Sequence, residues 1–190
     1  MEHNPESILE IGAARGYMVK KFNDAGVRSK GLEISHHCQL TRVTNDVIEW
    51  DICQTPWNFK DKEFDLAFST AVFEHIPEEH LDAVLKEMDR VSKRGLHGVD
   101  FGENDDGFDK THCTLRTKEW WLERMPSTQL VVDKEDLERG NIAVNIPAGD
   151  NKLKVNFGSF INMFHNGWIN TDILNLQDFA SRHKYKFLPI

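Results

Sequence analysis

The strongest constraint on this chain lies near its start, in one strand and the loop that leaves it. Ser7–Ile11 (SILEI) has strand character, and Gly12, Ala14 and Gly16 follow it at alternate positions. Arg15–Asp24 then reads as an amphipathic helix stopped by Gly26, and Arg28–Glu33 as a second strand. Short apolar stretches keep alternating with longer amphipathic ones, the pattern of a parallel sheet joined by crossover helices. Asp46–Trp50 is expected to be a third strand. Phe64–Thr70 is a fourth, apolar nearly throughout, as a strand buried on both faces should be. A helix over Glu78–Ser92 follows Pro77, a residue tolerated in a first turn, and aligns Leu81, Val84, Leu85 and Met88 on one face. Gly95 ends it before a fifth strand, Leu96–Phe101. A polar turn at Asn104–Gly107, a short helix at Thr117–Arg124 and last strands at Gln129–Val132 and Ile142–Ile146 complete the pattern. The expected fold is α/β, a compact, mostly parallel sheet with its ligand at the carboxyl ends of the strands.

Composition narrows the partner. Lys plus Arg number 23 against 31 Asp plus Glu, a net charge of −8, which disfavours a role tracking nucleic-acid phosphates. With 39% hydrophobic and 28% charged residues the chain can bury a core and is not of the disordered class. No apolar run approaches the ~20 residues of a membrane helix, and Met1–Glu6 lacks the basic and apolar regions of a signal peptide. The three cysteines, Cys38, Cys53 and Cys113, are widely separated and are expected to be free thiols in a reducing cytoplasm. A cytoplasmic protein with a small-molecule substrate, and with neither nucleic acid nor membrane as partner, is the expectation.

The loop after the first strand reads Glu10-x-Gly12-x-Ala14-x-Gly16. Small residues let the backbone turn sharply and approach a ligand without a β-carbon in the way. The helix start offers free N–H groups to a carboxylate or phosphate. Glu33, at the end of the second strand, stands where a carboxylate can accept both hydroxyls of a ribose. Two ligand classes use this geometry. The dinucleotide fingerprint G-x-G-x-x-G would need its third glycine at Tyr17; the spacing present is acidic-x-Gly-x-small-x-Gly.

At these residues the sequence resembles the class I S-adenosylmethionine (SAM)-dependent methyltransferases. The resemblance continues in Gly31-Leu32-Glu33-Ile34-Ser35, similar to the family's second-strand motif, and in Asp51-Ile52, similar to its adenine-contacting pair. It continues again in Phe64–Ser69 followed by Val72–Ile76, similar to the fourth strand and the loop after it, so that it spans residues 7–133 in order. It implies a three-layer Rossmann-like sandwich and SAM as cofactor, contacted by Glu10, Gly12, Ala14, Gly16, Glu33, Ile34, Asp51, Ile52 and Ser69. Glu10 has the alternative of serving as a buried brace for the loop. Ala14 and Arg15 depart from the family's usual glycine and small polar residue. Only six residues precede the first strand, where family members carry one or two covering helices, so a fragment or a minimal version is expected.

Methyl transfer from a sulfonium is an in-line displacement that asks for alignment and exclusion of water. A protonated oxygen or nitrogen nucleophile also benefits from a base with a pKa near 7, and His75 and His112 both fall beyond carboxyl ends of strands. Both histidines have the alternative of capping or bracing loops. Trp50, Trp57, Trp120 and Trp121 fit core or lid packing better than a substrate platform. No metal site is expected: His75–His80 meets neither zinc-protease spacing, and His36-His37-Cys38 are adjacent, so their side chains diverge.

The chain divides at residue 147 in this reading. Residues 1–147 form the methyltransferase domain, Pro147–Asp150 a linker, and residues 148–190 an extension. There, a strand at Lys152–Phe157, a turn at Gly158-Ser159 and a second strand ending on Asp172 resemble the opening motifs of a second methyltransferase-like module, with Asn162 and Phe164 in place of the usual glycines. A carboxyl-terminal hairpin and helix of a single domain is the alternative. Residues 152–190 are expected to pack on the first domain, on a second copy or on a partner. The leading expectation for function is methyl transfer to a small-molecule or sugar-like acceptor. A catalytically silent binding module comes next and a nicotinamide-dependent oxidoreductase last.

Overall fold

The computed structural model describes residues 5–102, 109–133, 143–148, 151–156 and 168–170. The expected turn at Asn104–Gly107, residues 149–150 of the expected linker, and Gly158, Ser159, Asn162, Phe164 and Asp172 lie outside the described residues.

Six strands make one sheet: β1 (Ser7–Ile11), β2 (Arg28–Glu33), β3 (Val47–Glu49), β4 (Leu66–Thr70), β5 (Gly95–Val99) and β6 (Gln129–Asp133). Their order is β3-β2-β1-β4-β5-β6, and every pairing is parallel. Helices α1 (Tyr17–Asp24), α2 (His36–Leu40), α3 (Glu78–Val91) and α4 (Lys118–Arg124) supply the crossovers. The fold is the three-layer, Rossmann-like α/β sandwich that the sequence pattern predicts.

Strand alternation sorts the core into two faces. Leu9 and Ile11 of β1 join Ala67, Val99 and Val131 beneath α3, which brings Leu81, Val84, Leu85, Met88 and Val91, and beneath Trp121 of α4. Ile8, Leu66, Phe68 and Leu96 point the other way, toward Met18 and Phe22 of α1. Glu10 shares the parity of Ile8, so its carboxyl is carried to the α1 face among apolar side chains.

Local chemistry moves several boundaries. α1 begins at Tyr17 rather than Arg15, because Gly16 is left-handed (φ 77°) and cannot lie inside a right-handed helix. α2 was not expected. Its two adjacent histidines and its cysteine are held in one turn by the Ser35 hydroxyl, which caps the helix by accepting from the Cys38 N–H. Phe64 lies outside β4, forming a single bridge with Ser92.

The larger correction concerns the last strand. β7 (Ala143–Ala148) does not join the six-stranded sheet; it pairs antiparallel with β8 (Asn151–Asn156). Pro147 and Ala148 of the expected linker lie in β7, opposite Lys152 and Asn151. β9 (Trp168–Asn170) pairs parallel with β8, which gives a separate sheet β7-β8-β9.

Candidate functional site

The strand order reverses between β1 and β4. From β1 the chain crosses to β2 on one side, and from β4 to β5 on the other, so the loops leaving these two strands part and open a crevice at their carboxyl ends. The residues that carry ligand chemistry in the sequence gather around this point.

Gly12, Ala14 and Gly16 are all left-handed, with φ of 73°, 46° and 77°. A β-carbon on Gly12 would lie 2.5 Å from Cγ2 of Val72, and one on Gly16 would run into Val47. The two glycines are thus required by the backbone and by protein neighbours on the loop after β4 and on β3, as well as by any ligand. Gly12 is itself exposed, so its backbone remains open to the crevice. The contact with Val72 sets the loop after β4 directly against the loop after β1.

Glu33 holds this loop in shape. One carboxylate oxygen accepts from the Ala14 N–H at 2.7 Å and the other from the Ser35 N–H at 2.8 Å. Each oxygen keeps a second acceptor position, so the carboxylate can brace the loop and still receive hydroxyls. Glu10 is buried at the first turn of α1. Burial pushes its carboxyl up to about 8; a hydrogen bond from the Val19 N–H opposes the rise and the charge of Glu33 adds to it. Its Oε2 has no hydrogen-bond partner in the protein. A buried carboxyl with one unpartnered oxygen behind an open left-handed loop, beside a second carboxylate with spare acceptor positions, fits a ligand that carries both a cation and a ribose.

Asp51 and Ile52 are half-buried on the turn after β3, where Asp51 accepts from the Cys53 N–H at 2.9 Å and the Ile52 carbonyl accepts from the Trp57 indole at 2.9 Å. Ile34, at the end of β2 beside Glu33, is 67% exposed. Ser69 is placed differently from the expectation. It is fully buried, and its hydroxyl meets Nδ1 of buried His97 at 2.8 Å. His97 in turn donates from Nε2 to Gln129 (3.1 Å), and burial pushes its pKa down to about 4 while that bond opposes the fall. Ser69 therefore belongs to a polar chain crossing β4, β5 and β6 inside the core and presents nothing to the crevice.

The expected histidines do meet. A 3-10 turn, Phe73–His75, follows Val72 and buries Glu74 completely. The Glu74 carbonyl accepts from the N–H groups of Cys113 and Thr114, both at 2.9 Å, and the Thr114 hydroxyl donates to the Ile76 carbonyl at 2.6 Å. These bonds fold the loop after β5 back onto the loop after β4 and bring the rings of His75 and His112 to 4.7 Å between centroids. Thr111 links them to an acid: its hydroxyl lies 2.6 Å from Asp109 Oδ1 and 2.9 Å from His75 Nδ1. The hydroxyl and N–H of Thr111 hold Asp109 below the usual carboxylate range. An ionised Asp109 only accepts, so the single Thr111 proton goes to it and His75 Nδ1–H must donate to Thr111. With Nδ1 carrying a proton, the acceptor nitrogen of an unprotonated His75 ring is Nε2. Glu74 is the residue that sequence reasoning missed; it stands next to His75, but its approach to His112 depends on how the two loops dock.

Residues 9–97 match a family model described as a methyltransferase domain. Over these residues the domain is similar to the class I SAM-dependent methyltransferases. S-adenosylmethionine is the cofactor of the family, and the site just described fits it: Glu10 and Glu33 offer the buried and the half-buried acid, and the Gly12–Gly16 loop the open backbone. No curated protein matches the chain. Among solved structures, a SAM-dependent methyltransferase from Archaeoglobus fulgidus aligns with a TM-score of 0.52 and 18% identity, over 62% of this chain and 57% of that one. The YcgJ protein of Bacillus subtilis aligns with a TM-score of 0.51 and 16% identity, over 65% and 60%. A complex of a Haloferax volcanii methyltransferase with the Trm112 methyltransferase activator aligns with a TM-score of 0.53 and 18% identity, over 76% and 66%. At these identities the likeness is one of fold, and the chain spans less than two thirds of each of these relatives. No helix of the described residues is long and apolar enough to cross a membrane.

Proposed function

We propose that the chain transfers a methyl group from SAM to a small, sugar-like acceptor bearing a hydroxyl or amine, by in-line displacement with His75 as proton acceptor. The observation that supports this best is the Asp109–Thr111–His75 chain, which orients the ring and makes Nε2 its acceptor nitrogen. Val72, packed on the Gly12 loop, precedes the turn that carries His75, so the proton acceptor and the cofactor loop share one rim of the crevice. His112 flanks His75 and helps to bind the acceptor. In this reading the bound cofactor supplies an electrophilic methyl on a sulfonium. Glu33 receives the ribose hydroxyls, Glu10 meets the ammonium group, and Gly12, Ala14 and Gly16 line the amino-acid end. Ile34, Asp51 and Ile52 border the adenine.

Titration with S-adenosylhomocysteine, with NADH in parallel, tests the binding half. Micromolar affinity corresponds to about −8 kcal/mol. NADH binding in its place would return the reading to an oxidoreductase. Methyl transfer over a panel of polyhydroxylated acceptors then tests the chemistry, where replacing His75 by Asn is expected to cost on the order of 10²–10⁴ in kcat. Cofactor binding with no turnover on any acceptor would instead favour the silent module.

We also propose that residues 148–190 continue a second module and carry the contact with a partner or a second copy. The parallel pairing of β8 with β9 repeats the first step of the main sheet, and among the described residues β7 and β9 are each paired on one side only. The activator complex of the Haloferax volcanii methyltransferase makes a partner protein a reasonable target. Light scattering of the full chain tests this, a strictly monomeric mass at high concentration counting against self-association.

A further inference from the structure

We propose that Glu74, His75 and His112 form a binding site for a divalent cation, with positions left open for the hydroxyls of the acceptor; this last part rests on the methyl-transfer reading above. One ligating atom of each residue lies within 4.8 Å of those of the other two. The three come from two loops that are fastened together at this point. The Glu74 carbonyl accepts two N–H groups from the loop carrying His112, and Thr114 closes the other side on Ile76.

The surroundings of each ligand are those a metal site needs. Glu74 is fully buried, and its Oε1 accepts from the Asp100 N–H at 3.1 Å, which fixes the carboxylate. His75 donates from Nδ1 to Thr111, so its donor atom is Nε2. Asp109, which anchors Thr111, also stands 3.8 Å from Nε2 of His112. The His112 side chain is only 5% exposed, so two imidazoles are pressed together with little solvent between them. Two imidazole rings and a carboxylate converging on one point are a cation's donors.

The donor set selects among cations. Two imidazole nitrogens and one carboxylate oxygen favour Mn²⁺, Fe²⁺, Co²⁺ or Zn²⁺ over Mg²⁺ and Ca²⁺, which prefer oxygen. Three protein ligands leave coordination positions for exogenous oxygen, as catalytic sites do. A hydroxyl bound there loses its proton to water more readily. In the cation-loaded protein this acidification stands in for His75 as proton acceptor, and a vicinal diol, which can fill two open positions, becomes the preferred acceptor.

Little in the residue pattern announces this site. Adjacent Glu and His are common, and His112 is distant in the chain, so none of the spaced metal motifs is met.

The test is titration of the full chain with Mn²⁺, following loss of the free-ion electron paramagnetic resonance signal. Variants His75→Asn, His112→Asn and Glu74→Gln are compared with His36→Asn, which removes an exposed histidine paired with Glu49. The expected result is one bound Mn²⁺ in the micromolar range, about tenfold or more weaker in each site variant and unchanged in His36→Asn. S-adenosylhomocysteine affinity, measured on the same samples, checks that every variant is folded and reports on the cofactor site separately. Wild-type protein that binds S-adenosylhomocysteine but shows no Mn²⁺ site tighter than millimolar overturns the cation proposal alone. Equal Mn²⁺ affinity in wild type and the two histidine variants overturns it as well.

Discussion

Replacing Glu10 by Gln removes one titratable proton from the α1 face of the sheet, and the consequence for stability follows from where that proton sits. In the folded protein the carboxyl is pushed up to about 8, against 4.5 for the ordinary group, chiefly by burial. A raised folded value means that the folded state holds the proton more tightly than the unfolded one. Glu10 therefore costs nothing below pH 4.5, and the fold loses stability as the pH climbs from there through 8. Each pH unit in that window is worth about 1.4 kcal/mol, so the penalty is about 3 kcal/mol at pH 7 and approaches about 5 kcal/mol above pH 8. Glutamine carries no charge at any of these values. It does bring a second N–H into the site, whose burial without a partner costs about 1–3 kcal/mol, so the offset at one pH is blurred. The slope is not. Urea denaturation at pH 5, 6, 7 and 8 is expected to show wild type losing ground to Glu10→Gln by about 1.4 kcal/mol per pH unit, all other titrating groups being common to both. Parallel stability curves would refute the buried, mostly protonated carboxyl.

The same proton gives a ligand test. At pH 7 Glu10 is mainly protonated, and a cationic group brought against it would expel that proton. Binding of S-adenosylhomocysteine at pH 7 is expected to release close to one proton, read as a dependence of the calorimetric enthalpy on the buffer's ionisation heat. The release should vanish in Glu10→Gln. No proton release in wild type would place the ammonium group elsewhere.

His97 works in the opposite sense: its folded value of about 4 lies below the ordinary 6.5, so its contribution is fully present above pH 6.5 and falls by about 3 kcal/mol as the pH drops through 4. A His97→Gln variant should flatten that acid limb in urea denaturation. Ala14→Gly is expected to raise stability by up to about 1 kcal/mol, since an L-residue at φ 46° is strained while glycine adds entropy to the unfolded chain. Gly16→Ala should lower it by about 2–4 kcal/mol, combining left-handed strain with a clash on Val47. Thermal and urea unfolding check both. Glu33→Ala is expected to weaken S-adenosylhomocysteine by about 1.5–3 kcal/mol from the lost hydroxyl bonds, while Glu33→Gln, which keeps an acceptor for the Ala14 N–H, loses less.

The sheet was legible because its strands announce themselves by burial. The apolar run ending in Leu66–Thr70 and the SILEI strand need neighbours on both faces, and the helical spacing of Leu81, Val84, Leu85 and Met88 supplies one of them. The left-handed loop was legible for a similar reason, since Gly12 and Gly16 are where the backbone goes to positive φ. What these glycines touch was not: Val72 comes from the loop after β4 and Val47 from β3. Ser69 was misread because its position at the end of β4 suggests the crevice, whereas strand parity sends its side chain to the α3 face and to His97. Ile142–Ile146 was misread because an apolar strand fits any sheet; the choice of β8 over β6 lies in long-range pairing that local pattern does not encode.

Glu74 shows why a site can be harder to read than a fold. Its burial, its bond to Asp100 and its approach to His112 all depend on the loop after β5 folding back over the turn after β4. Parallel sheets bring such loops together at the reversal of strand order, whatever their separation in sequence. Here that reversal lies between β1 and β4, with Gly12 on the loop of one and Val72, Glu74 and His75 on the loop of the other. A change at Val72 should therefore reach both halves of the site. Val72→Ala opens the space beside Gly12 and is expected to weaken S-adenosylhomocysteine and to loosen Mn²⁺ binding at the His75 turn in the same variant. An effect on only one of the two ligands would mean that the loops hold their shapes independently and that the shared rim has no energetic meaning.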